Sequence, residues 1–293
     1  MTYSELFKQE KIVRQLSIVQ LIAYFGAWFS NVAIFTMLVE FNASSLLVSL
    51  VTAMLFLPAI IISPISGTLI DRLPLKKLMV VLLVIELIMT ICLLMINTID
   101  DIWLLCLILF IRMGSASMFF STEMTLLPKV ISGIALQKAN EIHSIIWSFT
   151  YTAGMAISGI VVAFWGTKIA FIIDALFFVV ALLIFLPIKL EIPIQKHTDN
   201  FFTMLKDGFE YTKNNSIIIK MIFLHATVGL TSFDTIITLL ANWQYKEIIA
   251  VPLAIGISNA VRAIALMIGP MVVGKIINKN NIDIFLILQG IFI

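Results

Sequence analysis

From Leu46 to Ile70 the chain carries no charge, and from Leu78 to Ile96 it carries only Glu86. Each run is long enough to cross the roughly 30 Å hydrocarbon core of a bilayer as a helix. Between them Asp71-Arg72-Leu73-Pro74-Leu75-Lys76-Lys77 packs three cations and one carboxylate into seven residues. A turn so short joins two helices at a membrane surface, and a cationic loop of this kind is expected on the cytoplasmic side. That placement orients the whole chain.

The same reading gives eight spans, at 16–39, 46–70, 78–96, 102–127, 139–165, 168–188, 217–242 and 251–276. A ninth apolar segment begins at Ile282 and stops at Ile293, too short to cross alone. The expectation is a truncated polypeptide, with a terminal half-helix as the alternative. With the amino terminus inside, the inner segments hold Lys8, Lys11 and Arg14, then Arg72, Lys76 and Lys77, then Lys129 and Lys138, then Lys189, Lys196, Lys206 and Lys213, then Lys275 and Lys279. The outer loops hold Lys168 and Lys246.

Composition excludes other classes. Hydrophobic residues make up 61% of the 293 and charged ones 12%, where soluble domains have about twice that charge. A net charge of +2, spread over loops, gives no footprint for nucleic acid. The first span is longer than a signal-peptide core and is followed by no small-residue cleavage pattern, so it reads as retained. Cys92 and Cys106 fall inside apolar runs and read as buried free thiols.

An internal echo suggests two halves. Ile62-Ser63-Pro64 through Gly67-Thr68-Leu69-Ile70-Asp71-Arg72 reappears, degraded, as Ile268-Gly269-Pro270 through Gly274-Lys275-Ile276-Ile277-Asn278-Lys279. The expected organisation is a six-helix amino-terminal domain at 1–188, a cytoplasmic linker at 189–216 and a partial second domain at 217–293. Within the linker, Asn200–Asn215 reads as an amphipathic helix with Phe201, Leu205 and Phe209 on one stripe. It is either a packing linker or a regulatory element.

Gly67-x-x-x-Asp71-Arg72 followed by Lys76-Lys77 resembles the loop between the second and third helices of the major facilitator superfamily. That pattern is Gly-x-x-x-Asp-Arg-x-Gly-Arg-Lys; here Pro74 or Leu75 stands where the family has Gly, and Lys76 replaces Arg. Ser44-Ser45-Leu46 through Leu57-Pro58, Gln137-Lys138-Ala139-Asn140, and Leu205-Lys206-Asp207-Gly208-Phe209-Glu210-Tyr211 resemble the branch of enterobactin exporters and macrolide-efflux proteins. The resemblance implies an all-α polytopic membrane fold and a twelve-helix parent in the bacterial inner membrane. It also implies proton-coupled efflux of a small amphipathic drug or siderophore by alternating access, with protons and substrate as partners.

Several residues are candidates for that work. The resemblance makes Gly67, Asp71, Arg72, Lys76 and Lys77 a gating loop; a solvated positive-inside turn accounts for the lysines alone. Tyr24, Trp28 and Asn31, with Gln20, share a face of the first span, either as an aromatic and amide wall for a bulky substrate or as packing. Arg112 lies within the fourth span, where a charge costs roughly 2.5–3.5 kcal/mol on insertion scales, so it needs a cavity or a partner. The signature of proton antiporters has an Arg followed by Gly, and here Gly114 comes two residues later, closer than in that pattern. The resemblance sets Asp234 of the seventh span on the substrate path as a carboxylate for protons or cations, with Arg262 its possible partner. Glu86 and Asp174 read as buried anchors, and Glu123, Glu141 and His143 as interfacial. Gly154-Met155-Ala156-Ile157-Ser158-Gly159 stands where antiporters have Gly-Pro-x-x-Gly-Gly and offers a small-residue packing face.

No Gly-rich loop with a Lys cradles phosphate, no His/Cys spacing suits a metal, and no Ser, His and Asp arrangement suggests hydrolysis. The expected protein is a transporter without cofactors, not an enzyme. The rival is a non-transporting fragment or half-transporter serving as an assembly partner.

Overall fold

The structure, a computed structural model, describes residues 1–190, 201–230 and 234–276, without the side chains at 224–230, 263 and 266–276. The described residues are all-helical, with no strand. A short α1 (Tyr3–Gln9) precedes six long helices: α2 (Lys11–Glu40), α3 (Ser45–Arg72), α4 (Leu75–Cys92), α5 (Ile102–Val130), α6 (Gly133–Trp165) and α7 (Thr167–Phe185). Beyond α7 come α8 (Phe201–Asn214), which falls within the expected linker, then α9 (Ser216–Leu230), α10 (Asp234–Leu240) with a π turn (Ala241–Tyr245), and α11 (Val251–Ile276). Among the described residues, six helices are long and apolar enough to cross a membrane.

Local chemistry sets the ends. Thr2 and Glu5 form a reciprocal capping box at the start of α1. The Ser44 hydroxyl accepts from the Leu47 amide at the start of α3. Gly166 turns α6 into α7 at φ 82°, a conformation that side-chain-bearing residues rarely adopt.

Helix α2 is central: 67% of its most apolar stretch is buried, against 28% for α3. It packs on α6 and α7, while α3 lies on α5 and α4 on α5 and α7. The described helices after α8 join the first six long helices chiefly through α11 against α6. Gly256 and Gly159 allow that approach, because a Cβ built on either glycine would lie within 3.0 Å of the other helix's backbone.

The core divides into two apolar clusters. One, toward the α2–α3 loop, contains Phe29, Ile34, Leu109 and Phe171; the other, toward the α3–α4 loop, contains Leu16, Leu83, Leu126 and Phe178. Buried polar and charged side chains form a belt between them.

The helices differ from the expected spans in informative ways. Helix α5 continues to Val130 and α6 already begins at Gly133, because helices can run past the hydrocarbon edge where apolar content no longer marks them. The sixth stops at Phe185. In α8, Phe201 and Leu205 are half-buried but Phe209 is 73% exposed, so the expected three-residue stripe is not one buried face. Only the start of α8 reaches the bundle, where Met204 joins Phe201 against Arg72. Cys92 and Cys106 are free thiols, half-buried and buried. Residues 191–200 of the linker, Ile277-Asn278-Lys279 of the repeat, and the segment from Ile282 lie outside the described residues.

Candidate functional site

The belt begins with Arg112 on α5, whose side chain is almost wholly buried. Its Nη2 donates to Asp174 Oδ2 on α7 at 2.6 Å, and the Ser30 hydroxyl of α2 donates to the same oxygen. The guanidinium lies over the Phe178 ring, 5.8 Å from its centre. Glu86 on α4 is buried within Coulombic reach of both charges. Gly26 leaves room for the Asp174 carboxylate: a Cβ there would stand 2.5 Å from Oδ1. Arg112 therefore has partners on two neighbouring helices, α7 and α4, and its charge is held inside the bundle.

A second group lies nearer the α5–α6 loop. Glu123 (2% exposed) and His143 (7%) are both buried, not interfacial. The long α5 and α6 explain this, since Glu123 is about 10 Å from the end of α5 and His143 about 15 Å from the start of α6 along the axis. The Tyr24 hydroxyl donates to Glu123 Oε2 at 3.3 Å. His143 Nδ1 is hydrogen-bonded to Gln20 Nε2 and stands 3.9 Å from Glu123 Oε2. Phe120 and Tyr24 meet the imidazole edge-on, and its Nε2 is buried without a hydrogen bond among the described residues. Glu141, two residues earlier on α6, is by contrast about one-third exposed, and takes Lys138 Nζ at 2.6 Å and the Tyr3 hydroxyl at 2.8 Å.

The third group links α2 and α6 to α10 and α11. Trp28 on α2 packs edge-on against Tyr151 at 4.6 Å and Trp147 at 5.6 Å, and those two rings of α6 stack. Tyr151 is within Coulombic reach of Asp234 and Arg262, which face each other at 3.9 Å across α10 and α11. Asn31 is buried one turn beyond Trp28. Beside this group the Thr52 and Thr235 hydroxyls share a hydrogen bond of 2.8 Å between α3 and α10. With Gly159 on Gly256, it closes the two halves together at the α2–α3 end.

At the opposite end the charged turn is dispersed. Arg72 Nε reaches Met204 Sδ at 3.3 Å and its guanidinium lies over Phe201. Lys76 Nζ donates to the Leu186 carbonyl at 2.8 Å, just past the end of α7, where a cation is favoured. Asp71 and Lys77 are exposed. A Cβ on Gly67 would meet nothing among the described residues.

The sequence matches the Major Facilitator Superfamily over residues 16–293. The chain belongs to that superfamily. It is also 26% identical over 222 residues to an uncharacterized MFS-type transporter, YfiS, of Bacillus subtilis (strain 168), covering 73% of this chain and 52% of that protein. The chain thus spans about half the length of this curated relative. Two solved structures share the fold. A variant of the nucleoside transporter NupG aligns with TM-score 0.66 at 17% identity, over 90% of this chain and 68% of that one. A bacterial homologue of the human lysosomal transporter Spinster, inward-facing and unoccupied, aligns with TM-score 0.64 at 16% identity, over 90% and 62%.

Within this major facilitator fold the structure brings Trp28, Asp234 and Arg262 to one region and sets Arg112 in a different one. Tyr24 joins Glu123 and His143. Trp147 and Tyr151, not singled out in the sequence, complete the aromatic group. Their signal was the helical spacing of His143, Trp147 and Tyr151 along the fifth span.

Proposed function

We propose that the chain works in secondary active transport, exporting a small amphipathic compound from the cytoplasm in exchange for protons. The observation that carries this reading is the group between the halves, Trp28, Trp147 and Tyr151 beside the Asp234–Arg262 pair. Aromatic faces accept varied apolar bodies, and a nearby carboxylate favours a cationic head. A membrane-embedded pair that is only partly enclosed, with Arg262 30% exposed, suits a path better than a structural anchor.

The cationic loops support an amino terminus in the cytoplasm of a bacterium and insertion in its inner membrane. The α2–α3 end then faces outward, and the Gly159–Gly256 and Thr52–Thr235 contacts form the closed outer gate. Transport requires that these contacts open while the inner end shuts, a rocking of the halves about a midplane site. Gly67, Asp71, Arg72, Lys76 and Lys77 act as the inner gate, where Gly67 leaves room for a closing helix and the exposed Asp71 carboxylate offers it a negative charge among three cations. The resemblance to enterobactin exporters and macrolide-efflux proteins supports an amphipathic substrate of the drug or siderophore kind.

The test is ethidium accumulation in cells expressing the chain, against empty vector and an equally abundant Asp71→Asn variant. Lower accumulation with the parent but not the variant supports export and the gate. Equal accumulation in all three refutes both, and leaves the chain as an assembly partner.

A further inference from the structure

Glu123 and His143 have no part in the path described above. Both are more than nine-tenths buried, on different helices, with a shared neighbour in Tyr24 and a ring nitrogen, Nε2, that has no hydrogen bond among the described residues. Such groups are costly inside a membrane bundle unless they carry out a task. We propose that Glu123 and His143 together bind one transported proton, and that its arrival exchanges a bond between α2 and α6 for one between α5 and α6. The proposal rests on the transport reading for its role in coupling, but the site itself does not depend on it.

The exchange follows from hydrogen-bond inventory. With the Gln20 amide donating to Nδ1, that atom is an acceptor and its lone pair is in use. A proton added to Nδ1 turns the atom into a donor. The Gln20 amide can then no longer donate to it, and the nearest acceptor carrying charge is Glu123 Oε2, 3.9 Å away. The proton comes from water at the α5–α6 loop end, and no other bond breaks. The couple passes from a net charge of −1 to 0, on whichever of the two atoms the proton rests. Helix α6 is the element that packs on α11, so a changed hold on α6 is carried to the second half.

Among the described residues, Arg14 of α2 lines a surface pocket with Ile142 and Ile146 of α6 and donates to the Phe7 carbonyl. On α2 the group faces Gln20 and Tyr24, and on α5 Glu123 itself. From α4, Glu86 reaches Tyr24 electrostatically, and the Arg112–Asp174 pair of α5 and α7 lies in the next layer. On α6, Lys138 and Glu141 lie one turn toward the loop, paired with each other and with Tyr3 of α1. Two turns the other way Tyr151 meets Asp234 and Arg262 of α10 and α11. Glu123 is the one carboxylate with an oxygen within 4 Å of the imidazole among the described residues.

The test uses the full chain purified in detergent with labelled histidine, the other two histidines replaced (His197→Gln, His225→Gln), and follows the His143 ring resonances against pH. Glu123→Gln is expected to weaken proton binding at His143 by about tenfold or more, a displacement of about one pH unit. Glu86→Gln, remote from the ring, is expected to change it by less than about threefold, under half a unit. An unchanged titration in Glu123→Gln, or an equal change in Glu86→Gln, overturns the proposal. Should Glu123→Gln fail to fold, Tyr24→Phe serves. Freed of one donor, the Glu123 carboxylate should make His143 hold its proton several-fold more tightly, and no change would overturn the proposal. No transport is measured, so failure here is separate from failure of the export reading.

Discussion

Removing one member of the Arg112–Asp174 pair should cost far more than removing both. Arg112 Nη2 donates to Asp174 Oδ2 at 2.6 Å, and neither side chain is more than 2% exposed. Breaking a buried pair by deleting one partner costs about 3–5 kcal/mol, because the remaining charge is left without water or counter-ion. Replacing both by neutral side chains of similar volume is often close to neutral. Asp174→Asn keeps the volume that Gly26 admits and leaves Ser30 a polar partner, but strands the guanidinium with only Glu86 nearby. Arg112→Met removes the cation and leaves two carboxylates without one. Each single variant should therefore lose about 3–5 kcal/mol, and the double variant should lose no more than either single one. The apparent coupling should then be at least about 3 kcal/mol, at or beyond the upper end for residues in contact. In a detergent melt, where about 1 kcal/mol moves the midpoint about 2–4 °C, each single variant should melt about 6–20 °C below the parent. The reasoning is refuted if the double variant melts lower by the sum of the two single losses.

Three further outcomes follow from the geometry. With Cys92 and Cys106 changed to Ser, the pair Thr52→Cys and Thr235→Cys should form a reducible disulfide, because the hydroxyls it replaces are 2.8 Å apart, and the oxidised protein should lose ethidium export until reduced. Gly26→Ala drives a methyl into the Asp174 carboxylate and should cost about 1–3 kcal/mol in the same melt, against no measurable loss for Gly208→Ala, whose Cβ meets nothing. The docking of α1 should weaken at both extremes of pH, read by hydrogen exchange at Leu6 and Phe7. The hydrogen bond to Glu141 raises the Tyr3 hydroxyl above its usual value, so that contact is complete below that value and is lost as pH rises through the raised one. The bond from the Thr2 amide holds Glu5 below the usual carboxylate range, so the cap is complete above that range and fails as pH falls through the lowered value. Constant protection across pH would contradict this.

Much of the fold could be read from the chain because lipid imposes one rule: long uncharged runs such as Leu46–Ile70 have to be helices, and the charges between them have to be at surfaces. The Asp234–Arg262 facing was open to inference, since two opposite charges in consecutive apolar spans each need a partner. The burial of Glu123 and His143 was not. Apolar content marks the hydrocarbon, whereas α5 and α6 run past it, so residues that seem to lie at an edge are two turns inside. Nor could the sequence pair Arg112 with Asp174, 62 positions away, over Glu123 or Glu86. That choice depends on which faces of α5 and α7 meet, and both helices are apolar nearly all round.

The account turns on whether the group between the halves carries a compound in exchange for protons. The direct measurement is ethidium uptake by liposomes containing the purified chain and an acidic interior, compared with the same vesicles after the gradient is collapsed and with an Asp234→Asn variant. The account predicts uptake that disappears on collapse and in the variant. Uptake no greater than in protein-free liposomes, or equal in parent and variant, would contradict it.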